Sequence, residues 1–249
     1  MLKTVKKIEK GLWGSIVIPS DKSISHRAVM FSSIAKGECI IRNFSSGADC
    51  HSTLNLFKQL GVDIQFLDNK TLKIKSTGEL KKSQTPLDNG NSGTTMRLVS
   101  GILAGQNFDS VMVGDISLSK RPMKRIIEPL TLMGADITSV DGHAPLTIKG
   151  RPLQGITYQS KLASAQVKSC LLLAGLNAEG ETTFIEPHTS RDHTGRVFEY
   201  LGADIKINGT SVCVKPSQLT AKDIDVVGDI SSAAFFVAAG LIVKGSDFV

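Results

Sequence analysis

Aromatic residues are scarce. They make up 5% of the 249 residues, with one Trp and two Tyr, too few for the stacking platforms that hold single-stranded nucleic acid. The four cysteines, Cys39, Cys50, Cys170 and Cys213, form no CxxC pair. That argues against a zinc site or a disulfide framework and predicts reduced, mostly buried thiols. The five histidines, His26, His51, His143, His188 and His193, lack the spacing of metal ligands, so cap or surface roles are expected of them. Long apolar runs are missing too. The longest, Ala233 to Val243, is well short of the roughly 20 residues that span a bilayer. The opening "MLKTVKKIEKGLWGSIVIP" has no apolar signal core,. A cytoplasmic protein is expected. The formal net charge of +6 favours anionic ligands without approaching the density of a nucleic-acid-binding tail.

What is present is repetition. "LGVDI" stands at Leu60 to Ile64, "MGADI" at Met133 to Ile137 and "LGADI" at Leu201 to Ile205, their glycines 73 and 68 residues apart. Each glycine ends an amphipathic stretch ("STLNLFKQ", "RIIEPLTL", "RVFEY") and suits a helix C-terminus, where glycine accepts the left-handed conformation. Pro129 predicts that the second of these helices kinks or starts late. Upstream, each unit has a polar, small-residue opening into a mostly apolar helix: "SISHRAVMF", "GTTMRLVSGILAG" and "SAQVKSCLLLAG". Helices this apolar are buried ones. The unit therefore reads strand, buried helix, strand, surface helix, strand, strand, repeated three times in an α/β fold. A fourth opening, "SSAAFFVAAGLIV", is not followed by a second helix. The chain is accordingly expected to stop inside a fourth repeat, with the tail from Asp229 to Val249 poorly ordered or self-associating.

The chemistry is expected where the buried helices begin. If they run parallel, "SDKS" (Ser20 to Ser23), "NSGTT" (Asn91 to Thr95) and "ASAQ" (Ala163 to Gln166) share one end of the domain. They supply free backbone N–H groups and hydroxyls, the parts of an anion site. Yet Lys22 and Arg27 sit there with only Asp21 against them, although a cation at the positive end of the helix dipole costs about 0.3–1 kcal/mol. The loops "GDISLSKRPM" and "HTSRDHTGR" add Arg121 and Arg191, each expected at a helix start, with Pro122 at a first helical position. A bound phosphate or carboxylate would make these cations favourable through charge-assisted bonds. The alternative is that they are solvated surface cations beside ordinary N-caps. Asp49, Asp115 and Asp192 are read as N-caps, with Asp49 also able to face a ligand.

Five stretches, "PSDKSISHRA", "GNSGTTMR", "GDISLSKRPM", "LASAQVKSCLLLAGL" and "SRDHTGRVFEYLGADI", carry a more specific resemblance. In order along the chain they resemble the 5-enolpyruvylshikimate-3-phosphate synthases, of the type common in Gram-positive bacteria. The resemblance implies an inside-out α/β barrel, with parallel helices inside and sheets outside, in two like domains of three repeats each. Residues 20–225 would form the first domain, and residues 1–19 and 226–249 would belong to an incomplete second one. It implies transfer of the enolpyruvyl group of phosphoenolpyruvate to the 5-hydroxyl of shikimate 3-phosphate, without metal or organic cofactor. Lys22, Ser23, Arg27, Ser164, Ala165, Gln166 and Arg191 would contact shikimate 3-phosphate. Lys22, Asn91, Gly93, Thr94, Arg121 and Gln166 would hold phosphoenolpyruvate, with Lys22 shared by both. Gly93 is compatible with glyphosate binding. Leu98 and Gly195 depart from residues usual in the family, outside these contacts. The acid–base carboxylates would lie in the second domain, so the chain alone is expected to bind weakly and not to turn over. When complete, it is expected to be a monomer.

Two rivals remain at this point. A related family moves enolpyruvyl onto UDP-N-acetylglucosamine, with a reactive Cys in the loop matching Gly114 to Met123 and Lys-Asn in place of Lys22-Ser23; this chain has neither. A non-catalytic anion- or RNA-binding module suits the basic balance, but the scarcity of aromatics and the lack of an RNA-recognition motif oppose it.

Overall fold

The computed structural model describes Thr4 and residues 10–249; residues 1–3 and 5–9 of the predicted leading strand lie outside the described residues. After β1 (Trp13–Gly14), the first unit runs α1 (Lys22–Ile34), β2 (Lys36–Arg42), α2 (Ala48–Gln59), β3 (Asp63–Phe66) and β4 (Leu72–Thr77). The second runs β5 (Leu87–Asp88), α3 (Gly93–Ala104), β6 (Ser110–Val113), α4 (Ile116–Ser119), α5 (Lys124–Leu132), β7 (Asp136–Val140) and β8 (His143–Lys149). The third runs β9 (Thr157–Gln159), α6 (Ala165–Gly175), β10 (Thr182–Ile185), α7 (His193–Tyr200), β11 (Ile205–Asn208) and β12 (Ser211–Val214). Then come β13 (Ile224–Asp225), α8 (Ile230–Ile242) and β14 (Asp247–Phe248).

The units share one sheet topology. Strand orders are β5-β6-β8-β7 and β9-β10-β12-β11, and in the first unit β13-β2-β4-β3. In each, one strand pairs in parallel with the strand that follows the buried helix, and a hairpin continues the sheet antiparallel. A parallel pair needs a crossover connection, and in the second and third units that crossover is α3 or α6. In the first unit the parallel strand is β13, with Ile224 opposite Ile41. The end of the third unit thus pairs with the first.

Each sheet has one packed and one solvated face. On β8, Ala144, Leu146 and Ile148 point inward, while Pro145 and Lys149 are exposed. The inward faces cover α1, α3 and α6, whose central residues are buried on all sides. The serines within α3 and α6 bond back along the helix: Ser100 Oγ donates to the Met96 carbonyl at 2.7 Å, and Ser169 Oγ to the Ala165 carbonyl at 2.6 Å, which meets the need of a buried hydroxyl for a partner. The backbones of α3 and α6 meet closely at Gly101, where a Cβ would lie 2.1 Å from the Cys170 carbonyl oxygen. No larger residue fits there.

The surface helices end alike. Gly61, Gly134 and Gly202 have φ of +85°, +95° and +88°. In each case the next residue's N–H reaches back five residues: Val62 to Phe57 at 3.1 Å, Ala135 to Leu130 at 3.0 Å and Ala203 to Phe198 at 2.9 Å. These are Schellman caps, and they account for the repeated pentapeptide. Pro129 sits inside the nine-residue α5, where it removes a single intrahelical donor; the helix neither starts late nor stops there.

Outside the three sheets, β1 pairs in parallel with β14, with Trp13 opposite Asp247. The segment from Asp229, for which the sequence predicts poor order, forms α8 with Asp229 as its N-cap, yet none of its helical residues is buried. Among the described residues, no helix is long and apolar enough to cross a membrane. The cysteines are free, with Cys39, Cys50 and Cys170 buried and Cys213 half-buried.

Candidate functional site

The three buried helices begin with side-chain caps. Asp21, Ser92 and Ser164 accept from the backbone N–H of Ile24, Thr95 and Val167 at 2.8, 3.1 and 3.4 Å. None has an acidic residue in its first turn; the Asp21 carboxylate offsets the positive dipole end of α1, while α3 and α6 open on neutral serine caps. Side-chain bonds join these ends. Gln166 at the start of α6 donates to Thr94 Oγ1 at 3.1 Å and accepts from Arg97 Nη1 at 2.9 Å, both on α3. Arg27 on α1 donates to Ser169 Oγ on α6 at 2.9 Å and to Thr194 Oγ1 on α7 at 2.8 Å. Arg191, just before α7, puts Nη1 3.4 Å from Ser23 Oγ on α1. Arg121 donates to the Asn91 amide oxygen ahead of α3. The Asn91 nitrogen in turn donates to Asp115 at 2.7 Å.

The cations differ in setting. Lys22 is half exposed and paired with Asp49. Arg27, read from sequence as a surface or ligand cation, is only 4% exposed, and burial followed by the charge of Arg191 pushes its pKa down to about 10. Arg97 is buried as well, with its pKa lowered to about 10 by burial, then by Arg125 and Arg121. Both remain protonated at neutral pH, in surroundings that penalise positive charge. The bonds of Arg27, Arg97, Arg121 and Arg191 go only to hydroxyls, amides and carbonyls. Among the described residues, none of the four makes an ion pair.

The family model described as EPSP synthase (3-phosphoshikimate 1-carboxyvinyltransferase) matches residues 6–249. The chain belongs to the EPSP synthase family. It is 55% identical to a 3-phosphoshikimate 1-carboxyvinyltransferase from Endomicrobium trichonymphae over 94% of this chain and 56% of that protein. It is 52% identical to one from Bacillus cereus (strain G9842) over 99% of this chain and 58% of that protein. A solved EPSP synthase structure from Acinetobacter baumannii superposes with a TM-score of 0.89 at 46% identity, covering 96% of this chain and 55% of that one. The fold is thus the α/β fold of EPSP synthase structures. The chain spans little more than half the length of the curated relatives it matches.

Several placements differ from the sequence reading. Arg121 does not open a helix: it follows α4, its N–H bonding the Leu118 carbonyl at 2.9 Å, and α5 begins only at Lys124, beyond Pro122. The four-residue α4 was not legible because its "ISLS" has no helical period. Asp115 caps it, and hydrogen bonds from Asn91 and the Leu118 N–H hold the Asp115 carboxyl below the usual carboxylate range. Asp49 is not a cap; it lies in the first turn of α2, behind the N-cap Gly47. Asp192 holds the N-cap position of α7 without a capping bond and pairs with Arg196. His26 has no cap or surface role, being fully buried. Ser164 Oγ accepts from its own helix at Val167 N–H, which leaves its O–H as a donor, and among the described residues Lys22 bonds only Asp49 through its side chain. Arg97 was missed as a site residue although it stands in "GNSGTTMR". One turn after Gly93 on an otherwise uncharged helix, its charge was the signal.

Proposed function

We propose that residues 1–249 carry the shikimate 3-phosphate contacts and part of the phosphoenolpyruvate contacts of a 3-phosphoshikimate 1-carboxyvinyltransferase. One observation supports this most: four guanidinium groups converge at the starts of the buried helices with only neutral partners. Two substrates that both bear phosphate and carboxylate groups supply the missing charge, and Arg pairs with such groups in bidentate fashion. Lys22, Ser23, Arg27, Ser164, Ala165, Gln166 and Arg191 face shikimate 3-phosphate. Asn91, Gly93, Thr94 and Arg121 face phosphoenolpyruvate, with Lys22 and Gln166 between the two. Gln166 suits that place because it already bridges α3 and α6.

Addition of the 5-hydroxyl to phosphoenolpyruvate requires a proton delivered to the methylene carbon and one removed from the hydroxyl. The carboxylates near the cluster have other engagements: Asp49 is on Lys22, Asp115 caps α4 and Asp192 is on Arg196. The cationic and neutral polar residues of the cluster therefore bind, orient and stabilise negative charge, and we assign the acid–base groups to a second like domain. Residues 1–19 and 226–249 belong with that domain and residues 20–225 form the first. Supporting this division, β1–β14 is separate from the three sheets and no residue of α8 is buried. The test is calorimetry and a phosphate-release assay on the 249-residue chain. Saturable one-site binding of shikimate 3-phosphate without turnover is expected. Turnover by the chain alone would refute the division of labour, and absence of binding would refute the site.

A further inference from the structure

The third unit buries a complete ion pair. Lys168, one turn after Ser164 on α6, puts Nζ 2.6 Å from Glu186 Oε1, and the two side chains are 5% and 2% exposed. Removing two charges from water costs several kcal/mol, and apolar residues of similar volume often give equal or greater stability. Glu186 Oε2 also lacks any hydrogen-bond partner, so the pair is poorly optimised for stability. Burial works against ionisation of Glu186, but the bonds from Lys168 and Ser190 prevail and hold its pKa below the ordinary range.

The pair's other bonds point to a purpose. Glu186 Oε1 also accepts the Ser190 backbone N–H at 2.8 Å, and Lys168 Nζ donates to the Ser190 carbonyl at 3.3 Å. Both backbone polar groups of Ser190 are thereby fixed. The Ser190 carbonyl shares a rigid peptide plane with the Arg191 N–H, so fixing it sets the direction in which Arg191 leaves the loop. On one side the loop has open space where packing could otherwise hold it, since it borders a cavity of about 270 Å³ lined by Lys168, Glu186, Ser190 and Arg191 among others. We propose that the Lys168–Glu186 pair is a positioning device that aims the Arg191 guanidinium at the anion held beside Ser23. The identity of that anion rests on the shikimate 3-phosphate reading above.

The test has a structural arm and a binding arm, on the 249-residue chain. The neutral, near-isosteric Lys168→Met/Glu186→Gln variant keeps an acceptor for the Ser190 N–H and loses the hold on the carbonyl. In its crystal structure Arg191 is expected to have left Ser23; Arg191 still against Ser23 would overturn the proposal. This arm needs no ligand, so it stands even if the wild-type chain does not bind shikimate 3-phosphate, a result that would count against the functional reading alone. In titrations with shikimate 3-phosphate, Lys168→Met is expected to lose about tenfold or more in affinity, comparable to Arg191→Ala. Adding Lys168→Met to Arg191→Ala should then cost little further, because both act through one guanidinium. Additive losses, or wild-type affinity in Lys168→Met, would contradict it. Should Lys168→Met alone fail to fold, the neutral double variant takes its place in the same titrations.

Discussion

Arg97 on α3 donates to the Gln166 amide oxygen on α6 at 2.9 Å, so the N-terminal halves of two buried helices are linked by a charged donor and a neutral acceptor. The neutrality of that acceptor has a consequence. Gln166→Glu would turn the contact into an ion pair, which should preserve or raise the melting temperature. It would also place a negative charge among groups arranged for anions, so phosphoenolpyruvate and shikimate 3-phosphate affinities should fall about tenfold or more. Thermal melts and titrations on the same variant check both halves. Unchanged affinities would mean that Gln166 is structural only.

Gly93 lies under two guanidinium groups. A Cβ there would sit 2.9 Å from Arg97 Nη1 and 3.3 Å from Arg121 Nη1. Gly93→Ala must displace these side-chain ends while leaving the backbone unstrained. Phosphoenolpyruvate binding should weaken by roughly tenfold, about 1.4 kcal/mol, with shikimate 3-phosphate affinity and melting temperature little changed. An equal loss for both ligands would indicate that the disturbance spreads through α3.

How much of this was legible from sequence depends on where the charges are. The repeats, their Schellman glycines and the three capped helix starts announce themselves because each is a local pattern of a few residues. Arg27, Arg121 and Arg191 stood out as cations at or near helix starts. Lys168, Glu186 and His26 did not, because whether a polar residue on an apolar helix is buried is decided by partners 18 to 27 residues away. The pairing of β13 with β2 was equally hidden: two residues near position 224 carry no strand signal until Ile41 is beside them.

His26 gives a pH dependence. Its ring nitrogen Nδ1 lies 2.6 Å from Thr53 Oγ1, which lies 2.6 Å from Thr95 Oγ1, and that hydroxyl donates to the cap Ser92 at 2.6 Å. Burial, then the charge of Lys22, lowers its pKa from 6.5 to about 3. Between these values the unfolded chain holds a proton that the folded chain does not. This contribution is therefore complete above pH 6.5 and is lost as pH falls toward 3, by about 1.4 kcal/mol per pH unit. Denaturant midpoints at pH 7 and pH 5 measure it. His26→Leu should show a shallower acid dependence, and an unchanged dependence would remove His26 as its source.

Lys22 is predicted to serve both ligands. Half exposed and paired with Asp49, it adds little to stability, so Lys22→Ala should melt within a few degrees of wild type. Loss of its charge-assisted contacts, about 1.5–3 kcal/mol, should weaken both substrates. A selective effect on one would assign Lys22 to that ligand alone.

The most direct test of the site as a whole is a paired titration of Arg191→Ala and Arg121→Ala with shikimate 3-phosphate and with phosphoenolpyruvate. Arg191 sits against Ser23 on α1, and Arg121 sits against Asn91 ahead of α3, so the losses should separate. Arg191→Ala should lose shikimate 3-phosphate affinity by about tenfold to a hundredfold, the range of one charge-assisted contact. Arg121→Ala should lose phosphoenolpyruvate affinity to a similar extent, each variant keeping most of its affinity for the other ligand. If both folded variants titrate like wild type, the guanidinium cluster is not the substrate site.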